Sequence, residues 1–426
     1  MESLRHARIF MRLSVLGGTM TEAAHSAGLF AESERIDTWR VRAVKPVSYE
    51  VRVCDDAFDL QSTALLDVGG RTDDGRFRRF LVIDQNVDEL HGERIRKYFD
   101  HHGVDYHAHL VRVDETVKDF DTATGIAQAI DAFGIDRRRE PIIVIGGGVL
   151  MDIVGLVANL YRRGTPVLRV PTTLIGLVDA GVGVKTGVNF NGHKNRLGTY
   201  FETSLTLLDR SFLSTVERRH ISNGLAEILK MALIKDARLF DLLEEHGARL
   251  LDTRFQGDTT AEQRVAAEVV QRAVHGMLEE LQPNLWETEL ERIVDYGHTF
   301  SPTVEMYALP ALLHGEAVCV DMALTTVLAW RRGLVGEEQR DRVLDVMRTL
   351  ELPCWHDSLE PGLLAAALED TVRHRDGKQR LPLPVGIGDA TFVNDVTAEE
   401  LAVAVDDLRR LGDPDAVSGL RSTAAA

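Results

Sequence analysis

Ile142-Ile143-Val144-Ile145-Gly146-Gly147-Gly148-Val149-Leu150-Met151-Asp152 is the stretch that decides the fold. Four consecutive apolar residues stopped by glycine read as a strand buried on both faces, as in a parallel sheet. Val149–Tyr161 then continues with a helical apolar pattern. A buried strand, a glycine turn and a helix start together form an anion cradle. The glycines let the backbone approach a pyrophosphate, and the helix N-terminus offers unpaired N–H groups. The spacing is not GxGxxG, so the ordinary dinucleotide fingerprint is absent, and a triple glycine alone serves a plain tight turn equally well.

The same rhythm extends to both sides. Phe80–Ile83 and Pro166–Val170 read as further strands, and Thr122–Phe133 as a helix between strands. Such alternation is the pattern of a parallel βαβ sheet. Pro171-Thr172-Thr173-Leu174 follows the strand after the glycine turn and places two hydroxyls at a strand end, where open α/β sheets bind ligands. Asp84-Gln85-Asn86 follows the Phe80–Ile83 strand; an acid there suits ribose hydroxyls or simply ends a turn.

Beyond about residue 211 the character becomes helical, with expected helices at Leu225–Ile234, Ala261–Leu281, Leu285–Tyr307 and Glu316–Arg332. The expected organisation is an α/β nucleotide-binding domain over 41–210 and an all-α domain over 211–412 that carries metal and substrate. An extension over 1–40 and a flexible tail over 413–426 flank them. Arg5, Arg8 and Arg12 lie near a short apolar run in Met1–Phe30, which reads as a mobile extension, with Met20 as an alternative start. The cleft between two such domains is a preferred ligand site.

The chain has 426 residues, 44% hydrophobic and 27% charged, an ordinary balance for a globular protein with a sizeable core. Its net charge of −17 repels nucleic acid and anionic membrane. An anionic substrate therefore needs a local basic pocket. The three cysteines show no paired spacing, which fits a reducing compartment. No run reaches the roughly 18 apolar residues of a membrane span.

Glu227, His298 and His314 stand out because each interrupts an apolar stretch. Two histidines and a carboxylate with an open position form a common catalytic Zn²⁺ set. No two of them lie three or four residues apart, so spacing leaves each equally readable as a core or capping group.

Taken in order, these segments resemble the sugar-phosphate cyclases, the family of 3-dehydroquinate synthase, over roughly residues 46–411. The resemblance rests on Asp84/Asn86, Glu115-x-x-Lys118, Gly146-Gly147-Gly148-x-x-x-Asp152, Tyr161-Arg162-Arg163-Gly164, Pro171-Thr172-Thr173-Leu174, Asp179 to Lys185, and His193-Lys194-Asn195. Gly224-Leu225-Ala226-Glu227-Ile228-Leu229-Lys230, Gly297-His298-Thr299-Phe300 and Leu313-His314-Gly315-Glu316 complete it. The glycine and Glu/His/His pattern is shared with glycerol-dehydrogenase and iron-alcohol-dehydrogenase relatives, whereas the Lys185, Lys194-Asn195 and Lys230 set is similar to the cyclases.

The resemblance implies a dehydroquinate synthase-like fold. In it Glu227, His298 and His314 hold Zn²⁺ or Co²⁺. Asp84, Asn86, Glu115, Lys118, Gly147, Gly148, Asp152, Thr172 and Thr173 bind NAD. Lys185, Lys230, Asp179 and Asn195 serve catalysis, and Arg163, Lys194, Asp295 and His374 contact substrate. It also implies a cytoplasmic homodimer acting on a small sugar phosphate, with no nucleic-acid or membrane partner. Departures from dehydroquinate synthases refine this. Pro302 stands where the family has a second histidine, Asp295 replaces an asparagine, Glu291 (beside Arg292) an arginine, Met277 a lysine, and His374 a late lysine. Several of these changes remove cations or donors suited to a substrate carboxylate. The Met277–Glu287 and Lys185–Asn195 segments resemble 2-epi-5-epi-valiolone synthases, which act on sedoheptulose 7-phosphate and feed aminocyclitol products. Cyclases giving 2-epi-valiolone, desmethyl-4-deoxygadusol or 3-dehydroquinate, and a metal-dependent polyol dehydrogenase, are the alternatives.

Overall fold

The structure is a computed structural model that describes residues 28–31, 39–73 and 75–412. Most of the expected extension, including Met20, and the whole expected tail over 413–426 lie outside the described residues. The chain divides into two units, Met1–Ser48 and Tyr49–Ala426. In the first, β1 (Gly28–Ala31) pairs antiparallel with β2 (Trp39–Arg42).

The second unit opens with β3 (Glu50–Cys54), β4 (Arg78–Asp84), α1 (Gln85–His101), β5 (Asp105–Val111), α2 (Phe120–Phe133), β6 (Ile142–Gly146), α3 (Gly148–Leu160) and β7 (Val167–Pro171). A π-helical turn, Gly176–Ala180, leads into an antiparallel hairpin of β8 (Lys185–Phe190) and β9 (His193–Tyr200), and β10 (Leu205–Asp209) follows. Six strands form one sheet in the order β3-β10-β7-β6-β4-β5, every pair parallel. Successive residues of a strand point to opposite faces, and the packing follows that period. Ile142 and Val144 pack with Ile126, Ile130 and Ile153 of α2 and α3. Ile143 and Ile145 pack with Ile95, Tyr98 and Phe99 of α1 on the other face. Burial on both faces is why the decisive stretch is apolar without a break.

From β4 the chain moves outward to β5, then returns to lay β6 on the other side of β4. The connections leaving the C-terminal ends of β4 and β6 therefore diverge, which opens the crevice where such sheets bind ligands. Asp84 ends β4 and Gly146 ends β6 at this point.

After Asp209 the chain is helical: α4 (Arg218–Ile234), α5 (Ala237–Asp252), α6 (Thr260–Leu281), α7 (Ser301–Ala308), α8 (His314–Arg331), α9 (Glu337–Thr349), α10 (Pro361–His374) and α11 (Ala398–Gly412). Residues 315–329 of α8 are all buried, so this helix is the axis of the helical core. A short antiparallel pair, β11 (Leu381–Pro384) and β12 (Ala390–Val393), adds strand to a part expected to be purely helical.

The expected continuous helix over Leu285–Tyr307 does not form. The segment contains a 3₁₀ turn at Ile293–Asp295 and helix only from Ser301. Glu287 and Gly297 adopt left-handed φ values of 52° and 73°, which a right-handed helix does not contain. A Cβ on Gly297 would lie 2.9 Å from both Met322 Cγ and Val318 Cγ1, so the chain turns against α8 at a point only glycine fits. Pro302 sits in the first turn of α7, where its missing N–H costs nothing.

Candidate active site

Glu227 stands on α4, His298 precedes α7, and His314 is the first residue of α8. Donor atoms of all three lie within 4.8 Å of one another. His314 Nε2 is 3.3 Å and His298 Nε2 is 3.7 Å from Glu227 Oε1. Glu227 is buried, and neither carboxylate oxygen has a well-aligned hydrogen-bond donor, although Lys230 Nζ approaches Oε2 at 2.6 Å. A buried, under-satisfied carboxylate facing two imidazoles is a costly arrangement unless a cation completes it.

The outer nitrogens fix the rings. His298 Nδ1 lies 3.1 Å from the Tyr296 carbonyl, and His314 Nδ1 lies 2.9 Å from Glu305 Oε2. Glu305 and the Tyr296 carbonyl are acceptors, so each Nδ1 donates outward and each Nε2 is the nitrogen turned toward Glu227. Lys194 Nζ in turn holds Glu305 at 2.6 and 2.7 Å. Burial and the Lys230 ammonium push the His298 imidazolium down to about 3. Burial and Lys194 also press on His314, but Glu305 and Glu227 outweigh them and raise it to about 9. Glu227 is held well below the usual carboxylate range: burial opposes this, and Lys230 and the two histidines override it. The set fits a divalent ion through one oxygen and two nitrogens, leaving coordination open for a substrate.

Asp179 lies on the π-helical turn beside this cluster. Burial raises its carboxyl, while the fields of Lys230 and Lys185 oppose that rise. Isolated π turns are common at functional sites. Beneath it, buried Arg169 of β7 donates to the carbonyls of Ala180 and Gly183, which fixes the turn's exit.

The crevice at β4 and β6 has the form of a nucleotide site. Gly147 caps α3 without a side-chain hydrogen bond, so the first N–H groups of α3 remain available to an anion. A Cβ on Gly147 would come within 3.2 Å of Thr173 Cγ2, and one on Gly148 within 3.0 Å of Ala180 Cβ. Asp84 caps α1 by accepting from Asn86 N at 2.9 Å, and its Cβ is 3.2 Å from where a Gly146 Cβ would sit. Lys118 is buried and donates to Asp152 Oδ2 and Asn195 Oδ1, both at 2.6 Å. Asn189 Nδ2 donates to Glu115 Oε1 at 2.9 Å, which ties the β8–β9 hairpin to the same edge.

Residues 108–223 match the family described as 3-dehydroquinate synthase N-terminal, and residues 224–373 match 3-dehydroquinate synthase C-terminal. The chain belongs to the 3-dehydroquinate synthase family. A relative from Streptomyces albus named 2-epi-5-epi-valiolone synthase is 66% identical over 93% of this chain and 96% of its own. A relative from Trichormus variabilis named demethyl-4-deoxygadusol synthase is 38% identical over 88% of this chain and 90% of its own. The solved structure of a 2-epi-5-epi-valiolone synthase from Streptomyces hygroscopicus subsp. jinggangensis, with NAD+ and Zn2+ bound, superposes with a TM-score of 0.83. It is 55% identical, covering 87% of this chain and 99% of that one.

Against this 3-dehydroquinate synthase framework, the residues singled out in the sequence fall into distinct places. Glu227, His298 and His314 converge, with Lys230 and Asp179 beside them. Asp84, Gly147, Gly148, Thr172 and Thr173 gather at the crevice, where Thr172 N bonds the Gly146 carbonyl at 3.0 Å. Asp295 is buried, and Arg292 at 2.7 Å and Arg375 at 3.0 Å both hold its Oδ2; it does not orient the His298 ring, a task that falls to the Tyr296 carbonyl. His374 is exposed at the end of α10, 2.7 Å from Arg196 Nη1. Arg163 is exposed and makes no ion pair among the described residues. Sequence reasoning missed Glu305, Arg375 and the part Glu287 plays. The signal for Glu305 was present: an acid inside Thr303-Val304-Glu305-Met306-Tyr307, directly after a helix-starting proline.

Proposed function

We propose that this chain cyclises sedoheptulose 7-phosphate to 2-epi-5-epi-valiolone with release of phosphate, using NAD and a divalent ion, Zn²⁺ or Co²⁺. The observation that carries the reading is the under-satisfied Glu227 carboxylate facing two pre-oriented imidazoles, in a chain 66% identical to a protein of that name. The relative named for the deoxygadusol product stands much lower, at 38%, which supports the choice of product.

When bound, the ion would polarise a substrate hydroxyl and NAD would accept and later return a hydride. The remaining work belongs to side chains. Glu227, His298 and His314 hold the ion, and the crevice residues Asp84, Asn86, Glu115, Lys118, Gly147, Gly148, Asp152, Thr172 and Thr173 hold the nucleotide. Lys230 is kept protonated: burial opposes this, and Glu227 and Asp179 prevail. Its ammonium stabilises negative charge developing on substrate oxygen. Asn195 has its carbonyl oxygen engaged by Lys118, so its amide N–H₂ is the end left for a substrate hydroxyl. Lys185, more than half exposed, receives the phosphate. Asp179 orients hydroxyls, and Lys194, Arg163, Asp295 and His374 form the outer substrate contacts. The reading includes a cytoplasmic homodimer. Three free cysteines support a reducing compartment, and among the described residues no helix is long and apolar enough to cross a membrane.

The test is phosphate release from sedoheptulose 7-phosphate with NAD⁺ and Zn²⁺ present, while NADH absorbance is followed. Phosphate equal to cyclitol, with no net NADH, is expected. NADH accumulating without phosphate would make the chain a polyol dehydrogenase. Phosphate only from the dehydroquinate precursor would overturn the substrate.

A further inference from the structure

Three donors converge on one carboxylate that the reaction above does not use. Lys185 Nζ is 2.5 Å from Glu287 Oε1, the Tyr200 hydroxyl donates to Oε2 at 3.0 Å, and the Arg292 guanidinium contacts Oε2 as well. Burial and Glu287 push the Tyr200 hydroxyl up to about 12, so it remains a donor. An ammonium, a guanidinium and a phenol gathered on one anion are the donors a phosphate group selects.

Glu287 is held in a turn, its N–H donating to the Asn284 carbonyl at 2.9 Å. Glu287 lies outside any helix or strand, between the 3₁₀ turns at Gln282–Asn284 and Ile293–Asp295, with φ at +52°. A non-glycine residue in that region is strained by its setting, and such strain clusters at functional positions. Glu287 is largely covered while its partner Lys185 is 55% exposed, so the ammonium can be approached from solvent without unfolding anything. The Lys185 charge also opposes the rise of the Asp179 carboxyl and helps hold the Asp295 carboxyl down.

We propose that Glu287 is the internal counter-anion of the phosphate site. In the free enzyme its carboxylate neutralises Lys185 and Arg292. The substrate's phosphate displaces it from Lys185, and it reclaims the lysine as inorganic phosphate leaves. This rests on the cyclase reading given above. The exchange forms and breaks no covalent bond; one anion replaces another on the same donors. Its consequence is a phosphate group held less tightly than the cations alone would hold it, which favours release of the product anion.

The experiment is calorimetric binding of inorganic phosphate to the enzyme loaded with NAD⁺ and Zn²⁺. Glu287→Gln should bind phosphate on the order of tenfold more tightly than wild type, because one like charge is removed from a partly solvated site. Adding Lys185→Met to Glu287→Gln should return affinity to the wild-type level or below. Glu287→Ser, tested in parallel, should show the same gain and serves if the glutamine variant does not fold. A Glu287 variant that binds phosphate no tighter than wild type, or more weakly, overturns the proposal and makes Glu287 a support that holds Lys185 in place. A wild-type enzyme that binds phosphate but does not cyclise sedoheptulose 7-phosphate defeats the cyclase reading alone, and the phosphate comparison still decides the role of Glu287.

Discussion

Glu305 sets its Oε2 2.9 Å from Nδ1 of His314, with Lys194 clamped on the same carboxylate at 2.6 Å. The three residues come from α7, β9 and α8, so the orientation of one imidazole joins the hairpin to the helical core. Glu305→Gln should keep the fold and lower Zn²⁺ affinity about 10–100-fold, the usual cost of losing an orienting carboxylate. Glu305→Ala should cost more, because it leaves Lys194 Nζ facing His314 Nδ1 at 3.0 Å without a counter-charge. Competition with a chelator measures both.

The same contact makes ion binding depend on pH. In the metal-free protein His314 titrates at about 9, above its ordinary 6.5, because Glu305 and Glu227 outweigh burial and Lys194. An ion must therefore displace a proton from Nε2. Apparent Zn²⁺ affinity should rise about tenfold per pH unit from 6.5 toward 9 and then level off. The stability sign runs the other way. A raised cationic pKa contributes stability that is fully present below about 6.5 and lost as pH rises through about 9. Metal-free enzyme should thus lose Tm over that window, while His314→Asn should show a flatter profile. A slope near zero in the affinity titration would mean that His314 is already neutral.

Much of this was legible in the sequence, for definable reasons. The run from Ile142 to Ile145 is apolar because both faces of β6 are covered, and periodicity alone reveals that. Glu227, His298 and His314 were visible as polar interruptions, yet their union was not, since His298 lies 71 positions after Glu227 and only the packing of the Ile293–Asp295 turn and of α8 against α4 closes the gap. The helix expected over Leu285–Tyr307 failed because apolar spacing does not record left-handed positions. Gly297 at least advertised one, whereas Glu287 gave no sign. The pairing of every site lysine with a carboxylate was also hidden. Lys118, Lys185, Lys194 and Lys230 find Asp152, Glu287, Glu305 and Glu227 across long stretches or on a helix turn that spacing alone leaves ambiguous.

Gly315 tests how closely α8 must approach α4. A Cβ there would lie 1.9 Å from the Asn223 carbonyl oxygen, and the Gly315 N–H already donates to Asn223 Oδ1 at 2.6 Å. Backbone cannot yield as a side-chain tip can, so Gly315→Ala should destabilise by about 3 kcal/mol or more. It should also shift the adjacent His314 and lower bound metal. Gly362→Ala in the first turn of α10 meets nothing within 4 Å and should be neutral or raise stability by about 0.5 kcal/mol. Thermal unfolding of the two variants compares them directly.

Lys118 separates stability from nucleotide binding. Its ammonium is buried between Asp152 and Asn195, and burial is outweighed by Asp152 and Glu115, so it remains charged. Lys118→Met strands the Asp152 carboxylate and should cost about 3–5 kcal/mol, as removal of one member of a buried pair does. Lys118→Met with Asp152→Leu removes both charges and should recover most of that loss. NAD⁺ affinity, measured by cofactor fluorescence, should not recover, because the double variant has neither polar group to offer the nucleotide. Recovery of both quantities together would make the pair purely structural and move the nucleotide contacts to Asp84 and the glycine turn alone.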